Sequence, residues 1–227
     1  MMEPFGADIW ISSGRDVVSA GFRYPTRMAV IRLESGGLFV WSPTALADVR
    51  AEVDALGPVR FIVTPTAMHS TFLAEWRKAY PEARLFAAPH SRKRSKHIPF
   101  DADLGDAADA GWAKEIDQAV MRGNAIAEEV VFFHWRSSTV LVADLIQHFP
   151  PGWFKGLQAL VARLDGMTGK EPRVPQKFRL AFTNRKAARK GLTRVMAWPA
   201  EKVVMAHAEP VRTEGRAFIG RAFRWLR

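Results

Sequence analysis

The stretch Arg60-Phe61-Ile62-Val63-Thr64-Pro65-Thr66-Ala67-Met68-His69 decides the fold. Its first half is a short apolar run, the pattern of a parallel strand buried on both faces. Its second half is a loop that carries a histidine just beyond the strand. Residues 69–80 then read as a helix ended by Pro81, and Ala83-Arg84-Leu85-Phe86-Ala87 as the next strand. Upstream, Ser42-Pro43-Thr44 opens a helix with Thr44 as its cap. Leu46, Val49, Val53 and Leu56 fall at helical spacing, and Gly57-Pro58 stops the helix. Before it, after a short lead, the runs 27–33 and 37–41 flank Glu34-Ser35-Gly36 as a hairpin. Strand, helix, strand, helix and strand in succession make an α/β sheet.

The second half repeats the theme less regularly. Residues 90–128 are polar and read as a long loop with one helix at about 112–121. Two strands follow, Glu129–His134 and Ser138–Asp144, joined by Trp135-Arg136-Ser137. The chain then becomes helical and basic. A segment runs from Pro150 to about Leu164, and 166–175 is a linker. Helix 184–197 starts at a Thr183/Asn184 cap and presents Ala188, Leu192, Val195 and Met196 on one face. A strand, Lys202–Ala206, leads into His207, and a last helix covers about 213–226. On that helix Phe218, Ile219, Ala222, Phe223 and Leu226 form one stripe. Arg216, Arg221, Arg224 and Arg227 lie off it, which predicts a docked helix with its arginines in solvent. The strand-rich runs fall in two blocks, 27–63 and 129–206, so two sheets are expected within one domain, 1–227.

Composition narrows the chemistry. With 48% hydrophobic and 25% charged residues, wholesale disorder is excluded. The absence of cysteine rules out a disulfide framework, thiolate-held zinc, iron–sulfur clusters and a thiol nucleophile. Any metal must be held by His, Asp and Glu. No run approaches the roughly 18 apolar residues of a membrane span, so no transmembrane segment is expected. The start, Met1–Asp8, lacks the features of a signal peptide, so a cytoplasmic location is the default expectation. Charge is uneven: residues 151–227 hold 17 Lys and Arg against 5 Asp and Glu. That third could attract an acidic ligand, anionic lipid or nucleic acid, the last not favoured, or form a solvated basic surface. The hexamer Arg92-Lys93-Arg94-Ser95-Lys96-His97 has the same two readings. No glycine-rich phosphate loop, dinucleotide fingerprint or Gly-x-Ser-x-Gly elbow is present.

Four potential metal ligands stand at or beyond strand ends: His69, His134, Asp144 and His207. Ligands of open α/β sheets bind beyond the carboxyl ends of strands, so these four could converge on one rim. A histidine at a strand end is more often a hydrogen-bonded loop residue than a ligand.

The order of these pieces resembles the metallo-β-lactamase-like fold, and more closely the bacterial domain-of-unknown-function family numbered 4336, which shares it. The resemblance rests on Leu38–Thr44, Ile62–His69 with Trp76 and Tyr80-Pro81 behind it, Ser137–Leu145, Val203–His207 and Ala222–Leu226. It implies a four-layer αββα sandwich, two mixed sheets with helices outside. Active members of that fold carry a His-x-His-x-Asp-His loop for two zinc ions. Here Pro65 and Ala67 stand at the first two histidine positions, His69 falls near the aspartate and Ser70 near the last histidine. Asp144 matches the bridging aspartate and His207 the C-terminal histidine. The resemblance therefore implies at most one metal ion, zinc or iron, on His69, Asp144 and His207 with His134 as a fourth ligand, and leaves open a site with none. Two functions follow. One is a divergent hydrolase of a small ester, amide or thioester, with His69, Asp144 and His207 as its catalytic residues. The other is a non-catalytic descendant that binds an anionic ligand, nucleic acid or a partner protein through the basic third. Neither the substrate nor the oligomeric state is legible.

Overall fold

The computed structural model describes residues 1–227. Strands β1 (Glu3–Gly6), β2 (Ile9–Ser19), β3 (Phe22–Arg32), β4 (Leu38–Trp41), β5 (Val59–Thr64), β6 (Arg84–Ala87) and β7 (Ala102–Asp103) form one sheet in chain order. Pairing is antiparallel from β1 to β4 and parallel from β4 to β7. Strands β8 (Ile116–Met121), β9 (Glu129–His134), β10 (Thr139–Gln147) and β11 (Lys202–His207) form a second sheet in the order β11-β10-β9-β8. Only β10 and β11 run parallel there. Both sheets are thus mixed.

Strands β4, β9, β10 and β11 are buried almost end to end because both of their faces are covered. Successive side chains point to opposite sides. In β4, Phe39 and Trp41 enter the core between the sheets, while Leu38 and Val40 join the outer core. That outer core is closed by α1 (Arg50–Leu56) and α2 (Leu73–Ala79), through Val53, Leu73 and Trp76. In β10, Leu141 and Ala143 face the first sheet, and Val140 and Val142 face the opposite way. There they meet α5 (Gln176–Ala181), α6 (Arg185–Ala197) and α7 (Gly215–Ala222) through Phe178, Leu192 and Phe218. Three cores separate four layers, helix, sheet, sheet and helix. Two short helices, α3 (Ser91–Arg94) and α4 (Gly156–Leu164), complete the chain, and no helix is long and apolar enough to cross a membrane.

Several expectations need correction. The lead before residue 27 is two further strands and the first five residues of β3. The segment 112–121 is not a helix. Ile116–Met121 is β8, paired residue for residue with β9, and long-range pairing there overrides local preference. Residues 90–128 also hold α3 and β7. Thr44 caps nothing: a 3₁₀ turn starts at Leu46, α1 starts at Arg50, and neither has a side-chain cap. The Asn184 cap does form, its Oδ1 accepting from Ala187 N–H at 3.0 Å. The last helix docks as expected, with Phe218, Ile219, Ala222, Phe223 and Leu226 buried, but ends at Ala222 and continues as a 3₁₀ turn, Arg224–Leu226.

Candidate metal centre

The parallel strands β4 and β5 of one sheet and β10 and β11 of the other bring their carboxyl ends to a common rim. At the end of β5, Thr64 Oγ1 lies 2.7 Å from Thr66 O and 3.0 Å from His69 O, which folds the loop back on its strand. His69 N–H donates to Thr66 O at 3.2 Å. The His69 ring is thereby turned towards the second sheet. At the end of β4, Ser42 holds a left-handed backbone (φ 51°), uncommon for a residue with a side chain. Its Oγ sits 2.7 Å from His69 Nδ1.

On the second sheet, β10 follows β11 in register up to Val142–Met205 and resumes only at Gln147–His207. The strand bulges between, and its amides lose their ladder partners. The buried carboxylate of Glu129, first residue of β9, accepts from the N–H groups of Ala143, Asp144 (2.8 Å) and Leu145 (2.9 Å). This clamp aims Asp144 at the rim. Burial first, and the Asp144 charge second, push the Glu129 carboxyl up to about 7, against the pull of those amides. At the end of β11, His207 Nδ1–H donates to Pro25 O at 2.8 Å. Arg27 Nη1 donates to Met205 O at 2.7 Å and to Ala208 O, bracketing the histidine.

His69 Nε2 and His207 Nε2 lie 3.4 Å from the two oxygens of Asp144, one on each. One ligand atom from each residue lies within 4.8 Å of the others. A carbonyl only accepts, so the bond to Pro25 puts a proton on Nδ1 and leaves Nε2 as the ring nitrogen turned to the carboxylate, where a proton or a cation can be shared. The donor set of two imidazoles and a carboxylate is that of a catalytic zinc site. Burial disfavours the Asp144 anion, but the His69 charge and the close approach of both rings hold its carboxyl well below the ordinary range. Burial alone would depress His69; the Asp144 charge overrides it and raises the imidazole. The three side chains form the floor of a cavity of about 200 Å³, whose walls include Tyr24, Gln147, Lys177 and Phe178.

His69, Asp144 and His207 are therefore brought together, and His134 is not. It closes β9, which runs antiparallel to β10, and pairs with Thr139. Asp144 lies five residues further along, about 17 Å at a strand's rise. His134 is buried at the opposite rim, its Nδ1 2.8 Å from Ser137 Oγ, and cannot be a fourth ligand. Pro65 and Ala67 offer only backbone, and Pro65 O accepts from Val130 N–H at 2.9 Å. Between them, Thr66 Oγ1 donates to Asp144 Oδ2 at 2.6 Å. Of the basic hexamer, Arg92 is spent on Asp103, 2.7 Å away.

Glu129, Ser42, Arg27 and Thr66 were not found by sequence reasoning. Glu129 had a signal: it is the one acid at the head of an otherwise apolar strand, Glu-Val-Val-Phe-Phe-His.

Comparison with known proteins agrees with this architecture. The chain is similar in structure to the metallo-beta-lactamase from Pontibacter korlensis, with TM-score 0.64 at 14% identity over 100% of this chain and 98% of that one. The Flv1 flavodiiron core from Synechocystis gives TM-score 0.66 at 13% identity, covering 100% of this chain and 60% of the other. FIM-1 from Pseudomonas aeruginosa, a metallo-beta-lactamase in its mono-zinc form, gives 0.61 at 14%, covering 99% and 95%. At such identities the likeness is one of fold. No curated protein sequence matches the chain. The family model for the domain of unknown function DUF4336 matches residues 9–165, a span that includes His69 and Asp144 and stops short of His207. Spanning more than half of the chain, that match places the protein in the DUF4336 family, on a metallo-beta-lactamase fold.

Proposed function

We propose that the protein is a hydrolase of a small ester, amide or thioester, using one zinc or iron ion held by His69, Asp144 and His207, in a single domain that spans the chain. The observation that carries the reading is the convergence of two imidazole Nε2 atoms on one buried carboxylate at the floor of a cavity. When bound, such an ion lowers the pKa of its water and polarises the carbonyl to be attacked.

The protein's own groups supply positioning. Pro25 O fixes the His207 tautomer, Ser42 Oγ orients His69, and Glu129 holds the bulge that presents Asp144. Such supporting hydrogen bonds tune ligand affinity by 10–100-fold in comparable sites. Lys177 stands on the cavity wall, its Nζ 3.3 Å from Tyr24 Oη and 3.5 Å from Asp165, so an anionic substrate group held there would share the ammonium with that carboxylate. Phe178 offers an apolar wall beside it. Three protein ligands fit one ion, and the mono-zinc form among the similar structures supports that number. A second ion finds no ligands at Pro65 or Ala67.

A second reading, a non-catalytic binder of an anionic ligand, is favoured by one contact. Thr66 Oγ1 already satisfies Asp144 Oδ2 at 2.6 Å. Elemental analysis of protein purified without chelators or a histidine tag separates the two. About one zinc or iron per chain, lost in His207→Ala, supports the hydrolase. Metal-free wild-type protein refutes it.

A further inference from the structure

Helix α4 is built inside out. Leu157, Leu160, Val161 and Leu164 follow i, i+3, i+4 and i+7, the spacing of a core-facing stripe. Yet they are 76%, 53%, 42% and 74% exposed, while the small Ala162 on the opposite side packs on Phe149, Phe154 and Met167. Four large apolar side chains in one stripe, left in water, mark an interaction surface rather than scattered exposure. The stripe is extended at the same rim. Gln158 Nε2 donates to Gly21 O at 2.8 Å, tying α4 to the tip of the β2–β3 hairpin, where Val18 is also exposed. Asp165, just past α4, accepts from the N–H groups of Gln176 and Lys177 and so abuts α5, which exposes Leu180.

The surroundings are cationic. Residues 151–190 hold ten Lys and Arg against two acids, Asp165 and Glu171. Lys155 precedes the stripe and Arg163 flanks it, both exposed. Asp165 is taken by Lys177, 3.5 Å away. We propose that the face formed by α4, the hairpin tip and α5 docks on an anionic phospholipid bilayer. There the leucines enter the headgroup region and the lysines and arginines meet lipid phosphates. A second copy of the chain fits less well. A contact between two such stripes would bring Lys155 and Arg163 of both copies to one seam, and α4 carries no acid to answer them. The C-terminal helix cannot serve instead, because its phenylalanines are in the core. The docked face borders the cavity: Val17, Ser19, Ala20 and Lys177 belong to the same hairpin tip and α5, and all line it. A bilayer-docked protein would open its cavity towards the lipid surface. This inference is independent of any metal.

The test is cosedimentation of the full chain with vesicles of equal parts phosphatidylglycerol and phosphatidylcholine, against pure phosphatidylcholine, at low and high salt. The wild type should bind the anionic vesicles, lose binding on neutral ones and weaken as salt rises. The double variant Leu157→Ser/Leu164→Ser should bind at least about tenfold more weakly while melting at the same temperature, because both side chains lie in solvent. Arg216→Ser, on the C-terminal helix beside Ala200 and Glu201, should bind as the wild type does. Absence of wild-type binding, or undiminished binding by the leucine variant, overturns the proposal. So does a concentration-dependent dimer that the leucine substitutions abolish without any vesicle binding.

Discussion

Acid should destabilise this protein through His134, by an amount that can be worked out. Its ring is buried at the rim opposite the candidate metal centre, Nδ1 is tied to Ser137 Oγ, and Nε2 has no partner. Burial pulls its pKa down from 6.5 to about 4; the Asp8 charge opposes this, and Arg136 adds to it. A histidine depressed in the folded state favours folding while neutral. Its contribution is complete above the unfolded value of 6.5 and is lost as pH falls towards 4, because only the unfolded chain takes up the proton there. A difference of about 2.5 units is about 3 kcal/mol at full development, with about 2 kcal/mol already lost at about pH 5. For a chain of this length that is a fall in Tm of about 4–8 °C. Other groups titrate in the same window, so the assay is differential. Urea denaturation of the wild type and of His134→Gln at about pH 7.5 and about pH 5 gives two stability losses. The wild type should lose about 2 kcal/mol more than the variant. Equal losses would show instead that this histidine is charged in the folded protein or reaches water.

Three further outcomes follow from the packing and the clamp. Glu129→Ala strands three buried amide N–H groups at about 1–3 kcal/mol each. It should therefore lose at least about 3 kcal/mol by urea denaturation, and a loss below about 1 kcal/mol would contradict the clamp. Ser42→Ala removes the partner of His69 Nδ1, so zinc affinity measured by chelator competition should fall about tenfold with little change in Tm. Deletion after Ala217 removes Phe218, Phe223 and Leu226 from the core, worth about 1.5–3 kcal/mol each, against a net stability of about 5–15 kcal/mol. Circular dichroism should show no cooperative melt, and an unchanged melt would contradict the docking.

The parts of the fold legible in the sequence were those with both strand faces buried. Continuous runs such as Phe61-Ile62-Val63 and Val140-Leu141-Val142 have no other comfortable conformation. The missed strands lack that property. In β2, Ile9, Ile11 and Ser12 are buried while much of Gly14–Ser19 faces water. In β8, Gln118 sits in the core because Gly105 O and Ala107 O accept its amide hydrogens, at 2.8 and 3.0 Å, which no local pattern foretells. Of the candidate site, the convergence of His69, Asp144 and His207 was legible because β5, β10 and β11 carry them to one rim, His69 just past its strand, Asp144 at the bulge of β10 and His207 at the end of β11. His134 was misplaced for the complementary reason. A sequence shows that a residue ends a strand, but the rim it reaches depends on strand direction, and β9 is antiparallel. Ser42, Arg27 and Thr66 act through contacts that form only once both sheets are stacked.

Zinc K-edge X-ray absorption on the full chain loaded with one equivalent of zinc reads the ligands of the ion themselves. Two imidazoles, with nitrogen or oxygen neighbours at about 2.0–2.2 Å and no sulfur, are expected, with one imidazole lost in His207→Ala. A spectrum of hydrated zinc, or one unchanged by that substitution, would show that His69, Asp144 and His207 do not hold a metal together.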